Sequence, residues 1–372
     1  MEFECLASAA FGLEGLVAGE LRRMNFPEVR TENGGVRFRA SMEQVFRCNL
    51  FLRCCDRVFL VLAEKTCGTF EDLFQLVRQI PWERYMAGDE AINVSAHCAR
   101  SRLMSPRDCQ SITKKAVIQR MREQTGRQIF PESGAPLPIQ VVLRNDQARI
   151  LLNTSGDALS RRGYRTWNGE APLRETLAAA LVSLSPWRPG MPLHDPCCGT
   201  GTLLVEAAFQ ATRRAPGIRR AFAMESFSFC RPLNFSALRE EARAQETPES
   251  LGSISGSDID PEALELARRH LKQAGLADQI PLARTPLEQL TVSAEAPGVF
   301  LCNPPYGERL QDQTACRALY RELRLLRERH PGWSLCAISS DPGFERAYGR
   351  RATKKRRLYN GRLECNFYIY SD

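Results

Sequence analysis

Asn303, Pro304, Pro305 and Tyr306 form the run of the 372-residue chain whose side-chain types point most clearly to chemistry. They follow Gly298-Val299-Phe300-Leu301-Cys302, an apolar run that reads as a buried strand, and lead into Gly307-Glu308-Arg309-Leu310. Consecutive prolines cannot extend a sheet ladder, so the chain must turn after the strand. The turn then offers an amide, two carbonyls with no competing N–H nearby, and an aromatic ring. A flat group bearing an exocyclic NH2 suits that set: the oxygens accept from the amine while the ring stacks on the face. A proline-rich turn beside a core tyrosine is the plainer reading of the same residues.

A second motif shifts the balance. Leu193-His194-Asp195-Pro196-Cys197-Cys198-Gly199-Thr200-Gly201-Thr202-Leu203-Leu204-Val205-Glu206-Ala207-Ala208 reads as strand, glycine turn and apolar helix. Gly199 and Gly201 permit a tight turn and close approach of a ligand to backbone N–H groups at a helix start. A third glycine three residues on is missing, so the full dinucleotide fingerprint is not met. The Gly-Lys-Ser/Thr ending of a phosphate-binding loop is missing too. Asp195 would repel a pyrophosphate but pair with an ammonium, which favours a ligand carrying an amino acid and a ribose. A third piece, Gly256-Ser257-Asp258-Ile259-Asp260-Pro261, ends a second strand on an acid placed to accept from ribose hydroxyls. Asp260 either joins that contact or caps the helix that Pro261 opens.

These motifs, in this order, resemble the class I S-adenosylmethionine-dependent methyltransferases of the amino-methylating group. Gly163-Tyr164-Arg165 and Ala171-Pro172-Leu173-Arg174-Glu175-Thr176-Leu177-Ala178-Ala179-Ala180 look like the entry segment of the RNA guanine-N2 methyltransferases. Ala215-Pro216-Gly217-Ile218-Arg219-Arg220-Ala221-Phe222 and Lys354-Lys355-Arg356-Arg357-Leu358-Tyr359-Asn360-Gly361-Arg362-Leu363-Glu364 resemble the bacterial 23S ribosomal RNA subgroup. The N-terminal part resembles that family's ferredoxin-like and THUMP domains. Phe11 to Leu21 is helix-like, and Asn33-Gly34-Gly35 turns a hairpin. Ala91 to Thr154 carries the THUMP-like pieces Ile92-Asn93-Val94-Ser95-Ala96-His97 and Arg100-Ser101-Arg102-Leu103.

The resemblance implies an N-terminal α+β half and a C-terminal α/β Rossmann-like domain, its mostly parallel seven-stranded sheet ending in an antiparallel hairpin. The expected divisions are a ferredoxin-like domain (1–62), a THUMP domain (63–155), a linker (156–168) and a methyltransferase domain (169–372). It also implies methyl transfer from S-adenosyl-L-methionine to N2 of a guanosine, in 23S ribosomal RNA before transfer RNA. Asn303, Pro304, Pro305 and Tyr306 would act on the base. Asp195, Pro196, Cys197, Gly199, Thr200, Gly201, Asp258, Asp260, Arg174, Glu175, Thr176 and Asn303 would border the cofactor. The family often places an acid after the third strand for the adenine amine, but Ala283-Arg284-Thr285-Pro286-Leu287-Glu288 offers no aligned Asp. Readings from other classes are a DNA adenine or protein glutamine methyltransferase and a non-catalytic RNA-binding or ribosome assembly protein.

Composition bounds these expectations. With 43% hydrophobic and 25% charged residues the chain reads as a soluble globular protein of two or three domains. No apolar run approaches the roughly 20 residues of a membrane span, and Met1-Glu2-Phe3-Glu4-Cys5 lacks the order of a signal peptide, so a cytoplasmic protein is expected. The 14 cysteines are scattered without a Cys-x-x-Cys, and His97, His194, His270 and His330 lack ligand spacing, which predicts reduced thiols and no metal. A monomer is expected.

Net charge is +8, and residues 96–127 carry eight basic side chains against Asp108 and Glu123. From Asp108 this segment reads as an amphipathic helix with Ile112, Ala116, Val117 and Met121 on its apolar face. Its basic face either tracks phosphate or is simply solvated. Together with the THUMP resemblance, the candidate RNA contacts are Arg100, Arg102, Lys114, Lys115, Arg161, Arg162, Arg165, Lys354 and Lys355. The last two otherwise protect an edge strand. Asn360-Gly361 between strand-like flanks predicts a terminal hairpin turned on those two residues. Residues 209–252 read as a partly exposed insertion of low apolar density.

Overall fold

The computed structural model describes residues 2–165, 173–292, 296–306 and 310–371. Residues 166–168 of the expected linker, Ala171, Pro172 and Gly307 to Arg309 lie outside the described residues. By packing, the chain divides into two units: Met1–Ala9, Val17–Leu159 and Arg220–Glu241 form the first, and Ala10–Leu16, Ser160–Arg219 and Ala242–Asp372 the second.

The N-terminal elements are β1 (Phe3–Ser8), α1 (Glu14–Arg23), β2 (Arg30–Glu32), β3 (Gly35–Ala40), α2 (Met42–Phe51), β4 (Arg57–Thr66), α3 (Phe70–Arg78), β5 (Ala91–Ala99), α4 (Pro106–Thr125), β6 (Pro136–Arg144) and β7 (Gln147–Asn153). One seven-stranded sheet runs through all of them, in the order β2-β3-β1-β4-β7-β6-β5. Strand β4 crosses the 62/63 position at which the sequence suggests a division. Its first half pairs with β1 and its length pairs with β7, with a bulge between Val61 and Ala63. Among the described residues of this sheet, β5 and β6 run parallel and the other pairs are antiparallel.

Strand alternation gives this sheet a charged face. There Arg37 pairs with Glu4, Glu32 and Glu64, and Arg149 with Glu32 (2.6 Å) and Glu64 (3.1 Å). Residues 209–252 depart from the exposed insertion the sequence suggests. Phe222, Met224, Phe227 and Cys230 are buried, and Phe222 and Phe235 pack on Phe46 of α2 with ring centroids 5.6 and 4.7 Å apart. Asn49, fully buried on the same helix, accepts from the Ser155 hydroxyl and donates to Thr154 Oγ1 at 3.0 Å.

The remaining elements are α5 (Glu175–Leu184), β8 (Leu193–Asp195), α6 (Thr202–Ala211), α7 (Phe235–Ala244), β9 (Ile254–Asp258), α8 (Pro261–Ala274), β10 (Leu282–Arg284), β11 (Val299–Cys302), α9 (Leu310–Arg329), β12 (Ser334–Ser339), α10 (Phe344–Tyr348), β13 (Lys354–Asn360) and β14 (Leu363–Tyr370). Their sheet has the order β10-β9-β8-β11-β12-β14-β13. The first five strands are parallel and β14 is antiparallel to both β12 and β13, as expected for the methyltransferase fold. β11 reads Val-Phe-Leu-Cys and is buried at every position, the mark of a strand covered on both faces.

The terminal hairpin forms, but one residue later than expected. Asn360 pairs with Leu363, so the loop is Gly361-Arg362. Gly361 is the loop residue with positive φ (65°), the pattern of a II′ turn rather than I′. Among the described residues no helix is long and apolar enough to cross a membrane.

Candidate active site

Strands β9, β8 and β11 are parallel neighbours, so their carboxyl ends and the loops that follow share one edge of the sheet. That edge collects the three motifs. The glycine turn leaves β8: Gly199 and Gly201 have φ of 49° and 79°, which side-chain-bearing residues seldom adopt. At Gly201 a Cβ would stand 3.3 Å from Ala267 of α8, whereas at Gly199 it would meet only open space. The first glycine is therefore the one that keeps a surface free. α6 starts at Thr202 with no side-chain cap, leaving helix N–H groups for a ligand.

Asp195 is buried and accepts from the Cys197 N–H at 3.1 Å. Burial, with nearby Asp258 adding to it, pushes its carboxyl well above the usual range against the pull of that N–H. A cation placed beside it would hold it ionised. Asp258 ends β9; its Oδ2 accepts from the Gly199 N–H at 2.8 Å and its Oδ1 from the Asp260 N–H at 3.0 Å. The glycine turn and the second acid are thus tied together. Each of its oxygens keeps a second lone pair.

Asp260 caps α8, its Oδ1 accepting from the Glu262 N–H at 2.8 Å. Ile259, which sequence reasoning passed over, lies between these acids with 65% of its surface exposed. An apolar residue directly after a strand-terminal acid was the available signal.

The Asn303–Tyr306 turn leaves β11. Asn303 and Tyr306 are half-buried, Pro304 is buried and Pro305 exposed. The Tyr306 hydroxyl donates to Asn303 Oδ1, a link the sequence did not suggest. Burial raises the Tyr306 phenol far above its ordinary value, so it stays a donor. The turn is tethered from outside by Tyr320 of α9. This fully buried side chain donates to the Pro305 carbonyl at 2.9 Å and lies 3.3 Å from Ser339 Oγ at the end of β12.

The entry segment is largely interior. Arg174 is exposed at the start of α5, while Glu175 and Thr176 are buried. Arg165 Nη1 donates to the Leu173 carbonyl (3.1 Å) and to Glu175 Oε1 (3.3 Å). Arg162 Nε meets Glu206 Oε1 of α6 at 3.4 Å, and the Tyr164 hydroxyl reaches the same oxygen at 3.2 Å. The side chains of Arg162 and Arg165 are only 1% and 6% exposed. This corrects the expectation that both contact RNA: two guanidiniums locked against buried carboxylates cannot reach a phosphate backbone. Arg161 is exposed.

Of the other candidate RNA contacts, Arg100, Arg102, Lys115 and Lys354 are exposed. Arg102 lies 3.6 Å from Asp146, Lys114 is paired with Glu132 at 2.7 Å and Lys355 with Glu345 at 3.0 Å. A cleft of about 610 Å³ lies by α4, β5 and β6, lined by Asn93, Ser95, Arg107, Gln110, Lys114 and Gln140 among others. His194 bridges Ser255 and Ser257, and burial lowers its pKa to about 4. Among the described residues no group of three or more His, Cys, Asp or Glu is placed to hold a metal.

Residues 162–369 match the model of the RMKL-like methyltransferase domain, residues 4–59 that of the RlmL ferredoxin-like domain, and residues 67–153 that of the THUMP domain. The chain belongs to the RMKL-like methyltransferase family. It is 36% identical to "Putative RNA methyltransferase YpsC" of Bacillus subtilis over 99% of this chain and 96% of that one. It is 34% identical to "Ribosomal RNA large subunit methyltransferase K/L" of Syntrophotalea carbinolica over 96% of its own length, and spans about half (52%) of that longer relative. The structure is similar to that of SMU.472, a putative methyltransferase complexed with SAH, with a TM-score of 0.94, 37% identity, and coverage of 100% of this chain and 98% of that one. The open surface at Gly199, the two strand-end acids and exposed Ile259 fit the expected methyl donor.

Proposed function

We propose that the protein methylates the exocyclic N2 of a guanosine in RNA, with 23S ribosomal RNA as substrate and S-adenosylmethionine as donor. The observation that carries this reading is the Asn303–Tyr306 turn at the carboxyl end of β11, beside the β8 end that bears the glycine turn. The donor supplies an electrophilic methyl on a sulfonium.

The chain's residues hold and orient. Asp195 meets the ammonium of the amino-acid portion, Asp258 accepts from ribose hydroxyls, and Ile259 gives the adenine an apolar face. Asn303 Oδ1, with one lone pair taken by Tyr306, accepts from the substrate amine through the other, and the Pro304 carbonyl accepts its second N–H. That pair draws the amine out of conjugation with the ring, so its lone pair can attack. Tyr306 stacks on the base, and holding the two reactants in line supplies several kcal/mol. No strong base is needed, because the methylated nitrogen is acidic and loses its proton to water.

The base must first leave its stack, at a cost of about a few kcal/mol. The binding energy for this comes from exposed cations on both units, the chain being read as ferredoxin-like (1–62) and THUMP (63–155) parts joined through 156–168 to a catalytic part (169–372). Arg100, Arg102, Lys115, Arg161 and Lys354 serve as phosphate contacts, with Lys114 and Lys355 exchanging their carboxylate partners for phosphate. YpsC and the K/L relative carry RNA and ribosomal RNA in their names, which supports that substrate class.

The test is to incubate the protein with radiolabelled donor and, separately, unmodified 23S ribosomal RNA and transfer RNA, then to chromatograph the nucleosides. Labelled N2-methylguanosine from the ribosomal RNA is expected. Label in N6-methyladenosine, or in transfer RNA alone, would overturn the base or the substrate assignment respectively.

A further inference from the structure

Phe11, in the loop between β1 and α1, leaves 54% of its surface in water. A single exposed apolar ring is ordinary; what sets this one apart is how it is held. Its loop, Ala10–Leu16, belongs to the same unit as the terminal hairpin. Gly12 has a φ of 88° and approaches β13 so closely that a Cβ there would stand 3.1 Å from the Arg357 carbonyl. The Gly12 carbonyl accepts from Arg356 Nη2 at 3.2 Å, and its N–H donates to Glu14 Oε2 at 2.8 Å. The loop is thus fastened to the edge strand of the C-terminal sheet while the ring beside it stays exposed.

The neighbours of the ring are of one chemical kind. Phe11 and Tyr359 meet edge to face, their centroids 5.8 Å apart at 82°, and the Arg357 guanidinium lies 5.8 Å from the Phe11 centroid. Arg357 and Tyr359 flank buried Leu358, so strand alternation puts both on the outer face of β13. Lys354, Arg356 and Arg362 are exposed on the same hairpin. Two nearby acids are engaged locally, Glu14 by Gly12 and Glu364 by the Tyr359 hydroxyl at 2.9 Å. Aromatic faces interleaved with arginines match a single-stranded nucleic acid, which offers a base to the ring and phosphates to the cations. An apolar protein surface would desolvate those cations without an anion to answer them.

The inner face of this hairpin borders the Asn303–Tyr306 turn. Cys365, buried and cross-strand from Leu358, acts after burial itself to raise the Tyr306 phenol. Exposed Arg174 lies at the hairpin tip, its Nη2 3.9 Å from where a Gly361 Cβ would stand. We infer that Phe11 stacks on an unpaired base of the substrate RNA other than the one methylated, with Tyr359 bracing the ring and Arg357 meeting an adjoining phosphate. Phe11 is thereby a substrate-positioning residue on the outer side of the hairpin whose inner side touches the turn. The inference rests on the RNA substrate assigned under the proposed function.

The experiment measures equilibrium binding of unmodified 23S ribosomal RNA to wild type, Phe11→Ala, Phe11→Leu, Phe11→Trp and Arg357→Ala across a range of salt. Loss of one stacked base is expected to weaken binding about 5- to 100-fold in Phe11→Ala. Phe11→Leu, apolar but without a π face, should lose most of the same affinity, and Phe11→Trp should bind within about twofold of wild type. The added indole should also be quenched by the RNA. Stacking releases no counterions, so the log-affinity against log-salt slope should hold in Phe11→Ala and flatten by up to about 1 in Arg357→Ala. Donor affinity, unchanged in every variant, reports an intact catalytic unit. RNA binding within twofold of wild type in Phe11→Ala, or full affinity in Phe11→Leu, would overturn the inference alone. Wild type that binds no RNA would overturn it together with the RNA reading on which it rests.

Discussion

The two sheets of this protein place their charges in opposite ways. In the N-terminal sheet, arginine and glutamate alternate with core residues along the strands, and Arg37, Arg149, Glu32 and Glu64 meet on a face that water reaches. In the C-terminal unit, Arg162 and Glu206 lie inside, at 1% and 0% side-chain exposure, and the working groups gather where parallel strands end. Exposed networks are exchangeable: each partner can turn to solvent. Buried ones are committed to position. The first arrangement suits a face that stays in solvent, the second a site that must hold atoms in register.

This contrast is open to direct attack. The largest effect is expected from Glu206→Ala, which removes the carboxylate facing the buried Arg162 and the acceptor of Tyr164, at about 3–5 kcal/mol of stability. Glu64→Ala in the exposed network should cost about 1 kcal/mol or less. Chemical denaturation of the two variants checks this, and similar losses would erase the distinction.

Next comes the tether of the Asn303–Tyr306 turn. Tyr320→Phe keeps the ring against Phe344 but releases the Pro305 carbonyl. It should lower kcat by roughly tenfold with donor affinity unchanged. A fall in donor affinity without a fall in kcat would remove Tyr320 from the positioning of the turn.

A pH effect of about 1.4 kcal/mol per unit at most separates a third point. His194 has its pKa lowered by burial from an unfolded value near 6.5 to about 4, so the native state favours its neutral form. The unfolded chain takes up the proton first as pH falls. Its contribution is therefore complete above about pH 6.5 and is lost between there and pH 4. Wild type should lose more stability across that window than His194→Gln; parallel curves would contradict the assignment.

The smallest effects belong to the exposed cations of the first unit. Arg100→Ala and Lys115→Ala should each weaken RNA binding a few-fold and flatten the log-affinity against log-salt slope by up to about 1. A variant that leaves both affinity and slope unchanged would take its residue out of the phosphate surface.

The site was legible in the sequence where chemistry is local. A glycine pair after a strand, an acid ending the next strand, and an Asn-Pro-Pro-Tyr turn each carry their geometry in a few consecutive residues, and all three reach one sheet edge because the strands are parallel neighbours. The terminal hairpin was legible too, yet its turn slid by one residue: Gly361 has positive φ and Asn360 does not need it. What failed was long-range. Arg162 reads as a basic linker residue until Glu206, 44 positions away, closes on it. Phe222 and Phe235 look isolated in a polar insertion until Phe46 packs against both. In each case the partner was remote, and composition alone pointed to the surface.

Asn303 is the proposed acceptor that orients the substrate amine. Single-turnover methyl transfer by Asn303→Ala, with donor and RNA affinities measured on the same preparation, tests it most directly. The expected result is a loss of about 100- to 1,000-fold in the transfer rate, by analogy with removal of one preorganised polar group from an active site. Both affinities should stay within a few-fold of wild type. A transfer rate near wild type would contradict the claim that this turn performs the chemistry.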